Sequence, residues 1–133
     1  MGKIKVGDTA ALKKVITEAD VVAYAELSGD DNPVHLDEKF AEKSIFGKRI
    51  AHGTLTGALI SGVLGKILPG YGSIYLSQTY QFKAPVYLGD EVTIKVEVIA
   101  YREDKRITTL KTDVYNQDEK LVLKGEAVVI APE

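Results

Sequence analysis

His35 and one of two adjacent aspartates, Asp30 or Asp31, are the residues of this chain whose types and spacing best suit acid–base chemistry. They lie in the segment SGDDNPVH, residues 28–35. A carboxylate and an imidazole held close together can move protons to and from a reacting group near neutral pH. Gly, Asp, Asn and Pro are also ordinary turn residues, so the segment could simply be a loop. The short pattern alone leaves both interpretations open.

Three features of the segment raise the weight of a catalytic interpretation. Pro33 fixes its own φ and keeps Asn32 out of helical geometry, so the bend is stiff. Asp30 and His35 are five positions apart, which is wrong for one helix face but lets the side chains converge across a bend. The only other histidine is His52, so no second pair of histidine and carboxylate competes.

A second candidate is Gly53, in RIAHGTLTG (residues 49–57), at the start of an apolar stretch. A backbone N–H at a helix N-terminus can hold an oxygen that gains negative charge during a reaction. The residues alone favour a simpler interpretation. In it, Gly53 lets the chain turn into the helix, His52 is a hydrogen-bonded structural histidine that is buried or partly exposed, and Ser61 is a small packing residue.

Composition narrows the possible partners. The chain has 133 residues and no cysteine, which excludes disulfides and thiolate chemistry, and its net charge of −2 argues against nucleic-acid binding. Two distant histidines predict no metal site, and nothing indicates a redox cofactor. The uncharged stretch 50–65 is too short to span a membrane, and the N-terminus does not resemble a signal peptide. We therefore expect a cytoplasmic protein without a membrane partner.

The first elements that position the candidate residues are helices. Thr17 followed by Asp20 resembles a capping box, and Gly29 is a typical stop signal, so we predict a helix over residues 18–28. A second, short helix is predicted within LDEKFAEKS, residues 36–44.

The apolar stretch at 53–68, GTLTGALISGVLGKIL, predicts a longer helix. It is apolar or small nearly all round, so we expect it to be surrounded by protein. We also expect Gly57, Gly62 and Gly65 to let a sheet approach the helix backbone closely.

The second half of the chain has the pattern of strands. Apolar residues alternate over 92–100, and similar segments at 73–83, 107–115 and 121–131 are separated by short turns. This predicts four strands in an antiparallel meander, with a further strand at 10–16. One buried helix with a curved antiparallel sheet is an α+β fold, and its exposed edge favours a dimer.

Three spaced motifs resemble the MaoC-like (R)-specific enoyl-CoA hydratases. YAELSGDDNPVHLD (24–37) is similar to the hydratase motif of that family, AHGTL (51–55) to its Ala-His-Gly segment, and FKAPVYLGDEV (82–92) to its Pro-Val and Gly-Asp turn. The likeness runs from about residue 8 to 130. It implies a single hot dog domain over residues 1–133, with a curved antiparallel sheet wrapped around a long central helix, and a homodimer.

The resemblance also implies an activity, the (R)-specific hydration of trans-2-enoyl-CoA to (R)-3-hydroxyacyl-CoA in fatty acid metabolism or polyhydroxyalkanoate synthesis. Asp30 and His35 match the catalytic residues of the family and would activate a water molecule. The Gly53 N–H matches its oxyanion donor. We expect the neighbouring Asp31 to point to solvent. Which of Asp30 and His35 acts as acid and which as base stays open.

Further residues are candidates for substrate binding. Ser61 matches the serine that lies against the active site of the family, and Asn32 and Lys83 are expected to contact the substrate. Lys48, Arg49 and Lys83 are candidates for the phosphates of CoA, which enters as part of the substrate rather than as a cofactor. Two other functions stay open: a thioesterase on the same fold, and a non-catalytic subunit that binds acyl thioesters.

Overall fold

One five-stranded antiparallel sheet packs against a long helix in the computed structural model, which describes residues 3–133. The strands are β1 (Thr9–Val15), β2 (Ile74–Phe82), β3 (Glu91–Arg102), β4 (Ile107–Tyr115) and β5 (Leu121–Ile130). The helices are α1 (Glu18–Ser28), α2 (Pro33–Leu36), α3 (Glu38–Glu42) and α4 (Gly53–Lys66). The predicted α+β class, with a curved antiparallel sheet around a long helix, is confirmed.

The strand order β1-β3-β4-β5-β2 differs from the predicted meander. Strands β3, β4 and β5 are consecutive neighbours, as expected, but β2 pairs with β5 at the far edge of the sheet. The connection from β2 to β3, residues 83–90, is too long for a tight hairpin and crosses from one side of the sheet to the other. The prediction that β2 pairs with β3 is therefore wrong, and β1 and β2 form the two edges.

Helix α1 has the bounds that its sequence signals predict. Thr17 Oγ1 accepts a hydrogen bond from Asp20 N at 3.1 Å, and Asp20 Oδ2 accepts one from Thr17 N at 3.0 Å. At the other end Gly29 has a φ of 79°, in the left-handed region that glycine adopts without strain. These local contacts fix where α1 ends and where the bend towards the site begins.

Helix α4 supplies the centre of the hydrophobic core, but only along one face. Leu55, Ile60 and Leu64 are buried against the sheet, and each such side chain contributes roughly 1.5–3 kcal/mol by leaving water. On the opposite face Ala58 and Ser61 are exposed in the single chain. The prediction that protein surrounds this helix is thus wrong for one chain, since nothing in residues 3–133 covers that face.

Gly57 is the glycine of α4 that allows close approach of the sheet. A Cβ at this position would lie 2.6 Å from the ring of Tyr80 on β2. At Gly62 and Gly65 a Cβ would meet nothing within 4 Å in the described part of the chain. The expectation of close approach is confirmed at Gly57 and wrong at the other two positions.

The uncharged stretch at 50–65 lies mostly in α4, which packs on the sheet. Within residues 3–133, no helix is both long enough and apolar enough to cross a membrane.

Candidate active site

The bend after α1 is built by backbone hydrogen bonds to short polar side chains. Asp30 Oδ1 accepts from Asn32 N at 3.2 Å, and Asn32 Oδ1 accepts from Val34 N at 3.2 Å, which caps α2. The one-turn helix α2 was missed, because we expected a loop up to His35. An asparagine followed by Pro33 is a helix-start signal that could have identified it.

Asp30 and His35 line the same cavity, which has a volume of about 510 Å³. A carboxylate oxygen of Asp30 and one ring nitrogen each of His35 and His52 lie within 4.8 Å of one another. His35 is buried and Asp30 is exposed at the cavity surface. Asp31 is also exposed but does not line the cavity. The bend thus brings together the pair expected from sequence and leaves the neighbouring aspartate outside.

A hydrogen bond fixes which nitrogen of His35 carries the proton. Nδ1 lies 2.7 Å from the carbonyl oxygen of Ile50, and a carbonyl can only accept, so Nδ1–H is the donor. In the neutral ring Nε2 is then unprotonated and has a lone pair available. His35 is therefore held as the tautomer that can act as a base.

Burial lowers the pKa of the His35 imidazole below its ordinary value of 6.5. The hydrogen bond to the Ile50 carbonyl opposes this shift by raising the pKa, the nearby His52 lowers it further, and the Asp30 carboxylate raises it. The balance favours the neutral ring at neutral pH. This is the protonation state that a general base needs.

Arg49 supports His35 from behind. Its Nε donates to the backbone carbonyl of His35 at 2.8 Å, and its Nη1 forms an ion pair with Glu18 of α1 at 2.6 Å. The guanidinium therefore links α1 and α2 through these two contacts. The expectation that Arg49 serves the phosphates of CoA is not supported by this geometry.

His52 lies at the centre of the site rather than in a plain packing role. Its ring stacks on that of His35, with 3.8 Å between centroids and 28° between planes. Its Nε2 donates to the carbonyl oxygen of Asp30 at 2.9 Å, and its Nδ1 is buried without a partner among the described residues. The sequence left open whether His52 is buried or partly exposed, and the structure places it in the interior. Its stacking on the candidate base carries no signal in the local sequence.

The stacked rings also bear on metal binding. A metal ion lies in the plane of each imidazole that binds it, and the nearly parallel rings of His35 and His52 cannot both direct a lone pair at one ion. The three close groups are better suited to holding a water molecule than a metal.

Gly53 begins α4 at the edge of the cavity. As the first residue of the helix, its N–H has no acceptor within the helix, and it makes no backbone hydrogen bond elsewhere in residues 3–133. A Cβ at this position would lie 2.8 Å from the ring of Phe82. Close packing of Phe82 thus requires glycine here and leaves a backbone donor at the positive end of the helix dipole.

The candidate substrate-binding residues lie in different places. Lys83 is exposed and lines the cavity. The ammonium of Lys48 lies 4.5 Å from the centroid of the Tyr87 ring. Asn32 uses its side chain to cap α2 and does not line the cavity of the single chain, so its expected contact with the substrate stays a prediction.

Ser61 is also not brought to the cavity within the single chain. It is exposed on α4, eight residues after Gly53 and so about 12 Å further along the helix axis. Its expected position against the active site remains a prediction.

Comparison with known proteins gives a consistent result along the sequence. A family model described as MaoC like domain matches residues 5–120. The (R)-specific enoyl-CoA hydratase of Aeromonas caviae is 52% identical over 129 residues, which cover 97% of this chain and 96% of that protein. The 3-hydroxybutyryl-CoA dehydratase of Methylorubrum extorquens is 50% identical over 129 residues, with 97% and 82% covered.

Solved structures show the same arrangement. An (R)-hydratase from A. caviae involved in PHA biosynthesis superposes with a TM-score of 0.96 at 51% identity, covering 99% of this chain and 100% of that one. An unliganded R-hydratase from Pseudomonas aeruginosa superposes with a TM-score of 0.94 at 45% identity, covering 98% and 83%. The hot dog fold expected from the motifs is therefore confirmed.

Proposed function

Because the chain belongs to the MaoC-like domain family, we propose that it is an (R)-specific enoyl-CoA hydratase. It adds water across the double bond of a trans-2-enoyl-CoA and yields (R)-3-hydroxyacyl-CoA. The observation that carries the proposal is the pairing of the Asp30 carboxylate with a base-form His35 on one cavity, with the Gly53 N–H at its edge. A relative that is 52% identical and bears the name of this activity supports it.

The Asp30–His35 pair activates the water. The carboxylate and the bare Nε2 of His35 hold one water between them and take its proton, while its oxygen bonds to C3 of the enoyl group. The pair then returns one proton to C2, so the net change is addition of OH at C3 and H at C2. No group of the protein is altered over the cycle.

The Gly53 N–H stabilises the intermediate charge. Attack at C3 shifts electrons towards the thioester oxygen, which becomes enolate-like. A donor that is already oriented at the start of α4 stabilises this oxygen without having to reorganise during the reaction. The chemistry draws on no cofactor, because CoA is part of the substrate.

Lys83 is the proposed contact for the charged end of the substrate. It is the candidate lysine that both lines the cavity and keeps an exposed side chain. Lys83→Met should raise KM for a CoA thioester with little change in kcat, because a contact to the charged CoA end of the substrate binds substrate and transition state alike. A matched change at Lys48, whose ammonium lies over an aromatic ring, provides the control.

The decisive experiment uses crotonyl-CoA and the purified protein. A hydratase removes the conjugated enoyl absorbance without releasing free thiol, and an (R)-specific 3-hydroxyacyl-CoA dehydrogenase oxidises the product. In the Asp30→Asn variant, most of the enoyl absorbance should persist. Thiol release with the double bond intact would instead indicate a thioesterase, and neither change would indicate a binding subunit.

We also propose an oligomeric state, a cellular location and a metabolic role for the protein. The edge strand β2 exposes Ile74, Tyr75 and Leu76, which supports a homodimer in which two sheets join at this edge and cover the bare face of α4. A mass near 14.5 kDa for the particle in solution, measured by light scattering, would contradict the dimer. A cytoplasmic location and a role in supplying polyhydroxyalkanoate synthesis also stay predictions.

A further inference from the structure

His52 contacts or carries every part of the candidate site. Its ring stacks on the His35 imidazole at 3.8 Å between centroids. Its Nε2–H donates to the carbonyl oxygen of Asp30 at 2.9 Å. The Gly53 N–H belongs to the peptide bond that follows His52. One side chain and its own peptide therefore link three groups from two separate segments of the chain.

We propose that His52 is a positioning residue, which fixes the acid, the base and the backbone donor of the site relative to one another. The proposal rests on the hydratase function proposed above. His52 is not itself catalytic, because it is only 2% exposed and its one N–H is bound to a backbone carbonyl. It acts through its neighbours.

The surroundings of His52 leave it little freedom to move. The His35 ring of α2 stacks on it, and the Tyr24 ring of α1 packs against it at 4.9 Å between centroids and a tilt of 58°. The His52 ring thus connects α1, α2 and the start of α4. A displacement of this ring moves the Asp30 carbonyl and the His35 imidazole together, and misplacement by about 1 Å can cost around 100-fold in rate.

His52 also affects the proton affinity of the base. The titratable and charged groups near His35 are Asp30 in the bend, His52 at the start of α4, and Arg49, whose Nε binds the His35 carbonyl; Lys83 lines the same cavity. Burial lowers the pKa of His35 most, and His52 lowers it further. Loss of the second imidazole should therefore raise the pKa of His35 and move the acid limb of the activity profile to higher pH.

Two substitutions separate the two contacts of His52. His52→Phe keeps an aromatic ring for stacking but removes the donor to the Asp30 carbonyl. His52→Gln keeps an amide N–H where Nε2–H lies but removes the ring. If the hydrogen bond positions the site, kcat for crotonyl-CoA should fall about 100-fold in His52→Phe, with KM within about threefold, and recover to within about tenfold of the unaltered protein in His52→Gln.

A second measurement does not depend on the proposed function. The chain has two histidines, so the NMR spectrum of His52→Phe contains a single imidazole, that of His35. We expect this imidazole to titrate at higher pH than in the unaltered protein. If the unaltered protein fails to hydrate crotonyl-CoA, the hydratase proposal fails, while an altered His35 titration would still support the link between the two rings.

Val63→Ala provides the control for a merely structural effect. Val63 is fully buried on α4 and lies outside the cavity, so its truncation should lower Tm by several degrees and leave kcat and the pH profile unchanged. The proposal is overturned if His52→Phe behaves in this way. Equal losses of kcat in His52→Phe and His52→Gln would overturn it as well, because the donor to Asp30 would then be irrelevant.

Discussion

The bend after α1 and the start of α4 both deliver polar groups to the cavity, but in opposite ways. The bend presents side chains, Asp30 and His35, and uses backbone hydrogen bonds to hold them. The start of α4 presents its backbone, and Gly53 contributes by having no side chain where the Phe82 ring packs. Substitutions in the bend should therefore act by removing reactive groups. Substitutions at the start of α4 should act by filling space that the Phe82 ring occupies.

The largest effect is expected in the bend. Asp30→Asn and His35→Ala should each lower kcat by about 10²–10⁴, the usual contribution of a positioned acid or base. The double variant should be little worse than the poorer single variant, because two residues that hold one water act as a unit. Steady-state hydration of crotonyl-CoA measures this. Additive losses would reject the shared water while keeping both residues.

At the start of α4, Gly53→Ala should lower kcat by about 100-fold, because the new methyl group displaces either Phe82 or the backbone donor. It should also cost about 1–3 kcal/mol of stability through overpacking. Gly57→Ala is the matched control, since its Cβ would meet Tyr80 just as closely but outside the cavity. Denaturation and kinetics together test the contrast: equal losses of kcat in both variants would remove the special role of Gly53.

The pH dependence should distinguish the base from its surroundings. Because the pKa of His35 lies below 6.5, kcat/KM should hold through neutral pH and fall about tenfold per unit only below the lowered value. Stability follows the same direction. The unfolded chain binds the proton more readily, so the contribution of His35 is complete above 6.5 and is lost as the pH falls towards the folded-state pKa. An acid limb centred above 6.5 would contradict this.

The smallest effect on kcat is expected at Asp31, the residue next to Asp30. Asp31→Asn keeps the shape of an exposed side chain that does not line the cavity, so kcat should stay within about threefold of the unaltered protein. The same assay as for Asp30→Asn measures both. If Asp31→Asn is inactive and Asp30→Asn is active, then Asp31 and not Asp30 is the carboxylate of the site.

Local signals explain what could be predicted from the sequence. The capping box at Thr17 and the left-handed Gly29 predicted the bounds of α1. The alternation of apolar and polar residues predicted the strands. The rigid bend indicated a carboxylate close to His35, and the resemblance to the hydratase motif indicated Asp30 as the one that lines the cavity with it. Each of these depends on residues near one another in the chain, where propensity and hydrogen bonding act directly.

The features that could not be predicted depend on contacts between residues that are far apart in the sequence. The position of β2 beside β5 is a matter of topology, which alternation does not encode. The stacking of His52 on His35 brings the residue just before α4 onto α2, across 17 positions of sequence. The exposed face of α4 was misjudged for a similar reason: an all-round apolar pattern indicates burial but not by what.

The crossing connection at 83–90 has a consequence for how the site comes into being. Its Val86 carbonyl accepts from Ala51 N at 2.7 Å, and the cavity wall it helps to build also needs Val122 and Leu123 of β5. During synthesis, the bend with Asp30 and His35 is therefore made roughly ninety residues before the chain that completes its pocket. Since such long-range closures form late in folding, a nascent chain lacking its last strand should bind no substrate even though its acid and base are already present.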